Sequence, residues 1–287
     1  HGDKIRTFRE YGGDDANTES VTTLQLHVGG GSRALGVGTG IHWHMNIKNE
    51  IDYIAADERR EVIPWVRVTN PEGRVTEYVS TEQPLTPEQL AQASIRRMDC
   101  VDCHNRPSHI YHAPDDAIDH ALEASRFDRS LPYLKREAMR LLAQSYASEG
   151  EALARIRHDL PEFYRAQYPD LAKENAPAIR QAAEELQRIY AANVFPEMRV
   201  DWRAYPNHAG HRNSDGCFRC HDGMHRSREG KVITKDCNAC HAIVAQGPPE
   251  TLVGVPLQEQ PFQHPVDLGM DVTEFKCSQC HTGTTGL

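Results

Sequence analysis

The sequence predicts a mostly irregular and helical chain with a small β-rich segment at its N-terminus, a helical segment at its centre and little regular structure in its last third. Three observations predict it. All eight cysteines fall in four copies of one short motif, three of them after residue 216. Aromatic residues make up only 7% of the 287, and mean hydropathy is −0.63, a thin supply of side-chain core for this length. The apolar pattern has period 2 near the N-terminus, period 3.6 in the middle, and neither towards the end.

The first region, 1–97, reads as strands. Val21–Val28 is β-branched and alternating, and Glu61–Thr69 and Arg74–Ser80 flank an Asn70-Pro71-Glu72-Gly73 turn, a hairpin signal. Between them Gly29–Gly40 is glycine-rich. No helix pattern or phosphate-binding Lys follows, so its expected use is close backbone approach to a bound group or to His42.

The second region, 98–195, holds the first cysteine motif and then a helical stretch. Ser148-Glu-Gly-Glu151 is a capping box. Leu153, Ile156, Leu160 and Phe163 form one apolar stripe, Leu134, Ala138, Leu141, Leu142 and Ser145 a second, and Ile179, Ala182, Leu186 and Ile189 a third. The third region, 196–287, is turn-rich. Cys217 to Cys237 is 20 residues and Cys237 to Cys277 is 40, too short for independent cores, so one compact lobe is expected.

Net charge is −9, from 32 basic and 41 acidic residues. No Lys/Arg cluster of nucleic-acid-binding type is present, and no apolar run approaches the ~18 residues of a membrane span. An acidic chain of this kind is expected to steer cationic partners. Residue 1 is His, and the expectation is a processed chain or one part of a larger protein.

The cysteine motifs are Cys100-Val-Asp-Cys103-His104, Cys217-Phe-Arg-Cys220-His221, Cys237-Asn-Ala-Cys240-His241 and Cys277-Ser-Gln-Cys280-His281. C-x-x-C-H attaches haem c: two thiols at i and i+3 reach the two vinyl groups on one edge of a porphyrin, and the following His is placed under the iron. Disulfides give no reason for a His after each second Cys. Structural zinc pairs its knuckles without the adjoining His, and a thioredoxin-like pair would occur once. The expectation is a multihaem cytochrome with four haem c groups, whose porphyrins fill the core that the side chains leave thin. His104, His221, His241 and His281 are the proximal ligands.

Twelve further His remain. The candidate distal ligands are His109, His208, His211 and His225, which lie near the motifs, His264 in a spacer between motifs, and His42 and His44, which flank Trp43 after the glycine-rich loop. One of His42 and His44 is expected to cap an iron and the other to donate a hydrogen bond nearby. His120 and His158 read as solvated helix residues. Met45 and Met224 are the alternatives for an axial position.

These residues resemble the C-terminal part of long multihaem cytochromes of the NapC/NirT type. The strings that carry the likeness are Gly40-Ile-His-Trp-His-Met45, Ile63-Pro-Trp-Val-Arg67, Asp99-Cys-Val-Asp-Cys-His-Asn-Arg-Pro107, Tyr205-Pro-Asn-His-Ala-Gly-His211 and Gly216-Cys-Phe-Arg-Cys-His-Asp-Gly223, within a span from about Gly29 to His241. The resemblance implies a periplasmic or cell-surface electron carrier of an anaerobically respiring bacterium, exchanging electrons with redox partner proteins.

The leading expectation is single-electron transfer through closely spaced bis-His haems, with no catalytic residue, no nucleic-acid partner and no membrane insertion by this chain. A second is assembly with copies of itself into a haem-stacked filament or a larger multihaem assembly. A third is reduction of nitrite, hydroxylamine or a similar small oxyanion, which needs a haem with an open face.

Overall fold

The computed structural model describes residues 2–29, 40–45 and 49–284. In chain order its strands are β1 (Lys4–Tyr11), β2 (Glu19–Leu26), β3 (Glu50–Ile54), β4 (Trp65–Thr69), β5 (Val75–Ser80), the two-residue β6 (Arg96–Arg97), β7 (His225–Ser227) and β8 (His241–Gly247). Its helices are α1 (Pro87–Gln92), α2 (Pro114–Glu123), α3 (Leu134–Leu142), α4 (Glu149–Gln167), α5 (Pro169–Glu174), α6 (Ala176–Asn193) and the single turn α7 (Cys277–Cys280).

The strands form two antiparallel sheets, of order β1-β2-β8 and β6-β3-β4-β5-β7. This corrects the expectation of a mostly irregular and helical chain: the fold is mixed α and β, and regular structure reaches the turn-rich lobe. The hairpin β4–β5 forms where the Asn70 turn places it. Asn70 Oδ1 accepts from the backbone N–H of Glu72 and Arg74 at 3.1 and 2.8 Å, closing the turn. β7 and β8 are different, because their partners lie far away in sequence. Ser80 in β5 pairs with His225, and Leu26 in β2 pairs with His241. The run Ala242–Ala245 is buried throughout, the signature of a strand covered on both faces. It marks a strand only once β2 is beside it.

The helices pack round one apolar core. Ile156 and Leu160 of α4, Leu134, Ala138 and Leu141 of α3, and Ile179, Ala182 and Leu186 of α6 are all buried in it. The α4 stripe is turned slightly from the expected one: Ala152 and Tyr164 are buried, whereas Leu153 and Phe163 pack at the edge. Ser148 caps α4 by accepting from Glu151 N–H at 3.2 Å, and the Glu151 carboxylate returns to Ala147 N–H at 2.8 Å, one residue earlier than the capping box requires. Asn17, fully buried before β2, donates to the Arg129 and Leu131 carbonyls and accepts from Lys135 N–H, which pins the block to the first sheet.

Candidate functional site

Each cysteine motif folds as a short helical turn. The four are Cys100–Asp102, Gly216–Arg219, Cys237–Ala239 and α7. His104, His221 and His281 each donate a backbone N–H to the carbonyl of the first Cys of the motif, at 2.8, 3.0 and 2.8 Å. Such a turn brings i and i+3 to one side, so both thiols point the same way. Asp99 and Asp236 cap the first and third turns through bonds to Val101 and Asn238 N–H. Before the second, Gly216 has φ +47°, and a Cβ there would lie 1.7 Å from the Gly210 carbonyl oxygen, so only glycine fits. All eight thiols are free of disulfides.

Opposite each of these turns stands one further histidine. His42 faces His104 with ring centres 6.4 Å apart, His44 faces His221 at 5.7 Å, His211 faces His241 at 6.0 Å and His264 faces His281 at 6.0 Å. Two metal–imidazole bonds of about 2.0–2.1 Å, with the ring nitrogens offset from their centres, give roughly this separation. The pairing is one to one.

His42 and His44 come from a single 3₁₀ turn, Ile41–Met45. The turn is tied back to the end of β2: Ile41 N–H donates to the His27 carbonyl at 2.8 Å and His42 N–H to that of Val28 at 3.0 Å. Gly40 makes this approach possible, since a Cβ there would lie 2.1 Å from the His27 oxygen. The rest of the glycine-rich loop, residues 30–39, lies outside the described residues, and so does His1.

The paired rings fit an iron ligand set. His44 and His221 each have Nδ1 at 2.8 Å from a backbone carbonyl, of Ile41 and Thr234 respectively. A carbonyl only accepts, so Nδ1 carries the proton in these two rings and Nε2 keeps the lone pair a metal needs. His264 Nδ1 lies near both the carbonyl and the N–H of Val266, at 2.8 and 3.2 Å. His211 and His241 each keep a buried Nδ1 with no hydrogen bond, so no neighbour fixes the tautomer of these two rings. Around the four pairs runs one continuous cavity of about 1810 Å³, bordered by cysteines of all four motifs. Ordinary ligand pockets are about 300–1,000 Å³. Among the described residues no group of three or more His, Cys, Asp or Glu converges as a zinc knuckle would.

The other candidates lie elsewhere. His225 is buried with both ring nitrogens engaged, Nδ1 with Asp222 at 2.9 Å and Nε2 with the Ile63 carbonyl at 2.7 Å. Burial pushes its pKa down, but the Asp222 bond and charge together with the Ile63 carbonyl bond outweigh this and raise it, and with both ring nitrogens engaged no lone pair remains for a metal. His109 stacks on Tyr111 at 4.7 Å and its Nε2 bonds the Ala192 carbonyl. His208 is buried, with Nδ1 bonded to the Asp102 carbonyl, and faces none of the motif histidines.

One network was not visible in the sequence. Asp102 and Arg219 occupy the same variable position of the first and second motifs. Arg219 donates to the carbonyls of Asp102, Arg60 and Gly216, while the buried Asp102 carboxylate accepts from Tyr53, Arg60 and Arg96 at 2.6–2.8 Å. Burial alone would raise the Asp102 carboxyl; its arginine and backbone donors bring it below the usual range. A charged residue inside each of two motifs was the available signal.

Comparison with known proteins bears on the group these turns hold. The chain is 44% identical over 276 residues, 96% of its length, to the cytochrome c-type protein ImcH of Geobacter sulfurreducens. It spans 54%, about half, of that relative. No family model matches the chain, and no solved structure is similar to it. The similarity to a c-type cytochrome, over nearly the whole chain, supports haem c as the group that the chain binds.

Proposed function

We propose that the chain transfers single electrons through four haem c groups, held by His104 with His42, His221 with His44, His241 with His211, and His281 with His264. The observation that carries this reading is the one-to-one facing of each motif histidine by one other ring at 5.7–6.4 Å. When bound, each haem supplies a one-electron iron couple. The cysteine sulfurs would anchor it covalently, and the two imidazoles would hold the metal. With two imidazoles available at each motif, none of the four sites would keep a position for a substrate, which weighs against an oxyanion reductase. Both His42 and His44 become ligands on this reading, in place of one ligand and one hydrogen-bond donor.

The chain's own residues hold the sites together, and cysteines of all four motifs border one cavity. The Arg219–Asp102 network fixes the first to the second, and Asp215 ties the second to the fourth by accepting from Lys276 Nζ at 2.8 Å and from Ser278 Oγ. Electrons need no atomic rearrangement between such sites, and rigid spacing serves them.

Among the described residues no helix is long and apolar enough to cross a membrane. The periplasm or the cell surface is the proposed location, in keeping with the NapC/NirT-type resemblance, and redox proteins are the proposed partners. The test is a haem count and a ligand map. Pyridine haemochrome should give four haems per chain, resistant to acid–acetone extraction, and two or fewer would sink the reading. Single replacements His42→Ala, His44→Ala, His211→Ala and His264→Ala should each convert a different haem to high spin. His225→Ala and His109→Ala should convert none.

A further inference from the structure

Residues 248–275 leave β8 and return to the last cysteine pair. They are held against the sheet: Gln258 and Gln260 donate backbone N–H to the Val244 and Ile243 carbonyls, and Gln246 exchanges side-chain bonds with Pro261 and Gln263. Two features coincide on this pinned segment. Val253, Val255, Leu257, Met270 and Phe275 are 47–83% exposed. None of these five borders the cavity, which the segment meets instead through Phe262, His264, Pro265 and Val266. Glu250, Glu259, Asp267, Asp271 and Glu274 are exposed alongside, and the segment contains no Lys or Arg. More than half of the chain's formal charge of −9 is therefore concentrated here. His264, which faces His281, lies within the same segment.

We propose that residues 248–275 are the docking surface for a cationic electron-transfer protein, which exchanges electrons through the site framed by His264 and His281. The inference rests on the electron-carrier reading above. Exposed apolar side chains on a soluble surface mark contact sites, and single-sign charge around them selects a partner of the opposite sign. A second copy of this chain would bring the same five carboxylates and be repelled. One electron passes per encounter: this chain is oxidised by one electron, the partner's oxidised centre is reduced, and no bond forms or breaks.

The experiment uses the haem-loaded chain, reduced and freed of reductant, with oxidised mitochondrial cytochrome c as a strongly basic probe. Stopped-flow rates are recorded against ionic strength, with ferricyanide as a small oxidant that needs no docking. Neutralising the segment (E250Q/E259Q/D267N/D271N/E274Q) should slow reduction of the basic probe about tenfold or more at low salt and flatten its salt dependence. Neutralising five exposed carboxylates of the helical block (E123Q/E162Q/D170N/E174Q/E184Q) should change the rate less than twofold, and ferricyanide should oxidise all three proteins alike. Equal slowing by the two sets would overturn the docking surface, as would dimers joined through this segment in sedimentation. Failure of every protein to reduce ferricyanide would instead overturn the electron-carrier reading on which it stands.

Discussion

The helical block and the rest of the chain solve the same problem in opposite ways. Helices α2 to α6 enclose a core of 22 buried apolar side chains, all but Tyr11 supplied by the block and its turns. Among the described residues the sheets gather a smaller buried cluster, Ile51, Tyr53, Ile63 and Val66, with Val21, Ile54, Trp65 and Ala242–Ala245 buried apart from it, and surround a cavity of about 1810 Å³. Burial of an apolar side chain contributes about 1.5–3 kcal/mol, so the block stabilises itself. The cavity-lined part lacks the side chains to do so and must take its interior from what it binds, as metal-dependent modules do. On the electron-carrier reading the block serves as a frame, and the remainder completes its core when loaded.

The largest effect should come from emptying that interior. Replacing all eight cysteines by Ala removes covalent attachment, and the variant should keep a cooperative helical transition by far-UV circular dichroism. Limited proteolysis should cut it throughout 40–110 and 200–284 and spare 114–193. Protection of both parts to the same degree would break the comparison, because the sheets would then be stable on their own.

Next in size is a change confined to the frame. Leu160 is fully buried in α4, and Leu160→Ala should destabilise the block by about 2–5 kcal/mol in denaturant unfolding. The low-spin haem spectrum of the folded protein should not move. If the spectrum changes at the same denaturant concentration as helicity in both wild type and variant, the two parts unfold as one unit.

How much of this was legible beforehand follows the same division. The motif turns were, because i and i+3 contacts are local and Cys-x-x-Cys-His states its chemistry within five residues. The helical stripes were, since Ile179, Ala182, Leu186 and Ile189 are read from period alone. The facing histidines were visible as candidates but not as pairs. His42 and His104 are separated by most of the N-terminal sheet, and His211, six residues before Cys217, faces the third motif instead of the second. Nothing local distinguishes it from His208, three residues earlier, which turns to the Asp102 carbonyl. The strand β8 was hidden for a related reason, since its partner β2 lies more than two hundred residues upstream.

A smaller effect sharpens the comparison at that same residue. Burial, and then the Arg219 guanidinium, push the His208 pKa down to about 4 from an ordinary 6.5. Its neutral form is the one the fold accommodates, so its contribution is fully present above pH 6.5 and is lost as pH falls towards 4. Stability of the haem-loaded protein should therefore decline across that window, and His208→Gln should make the decline shallower. The block alone, followed by its helicity in the cysteine-free variant, should show no such dependence on residue 208.

The smallest effect is expected where the block carries histidines of its own. His120 in α2 and His158 in α4 are exposed, and His158 Nδ1 bonds the neighbouring Asp159 carboxylate rather than anything across the fold. Surface replacements away from special contacts usually fall within about 0.5 kcal/mol. His120→Ala and His158→Ala should accordingly leave four low-spin haems and an unchanged unfolding midpoint. His120 is the more demanding test, because its ring lies 5.5 Å from that of His112, which borders the cavity. If His120→Ala were to turn one haem high-spin, a ligand would have come from the frame. The division between a self-sufficient block and a loaded remainder would then fail at α2, the helix closest to both.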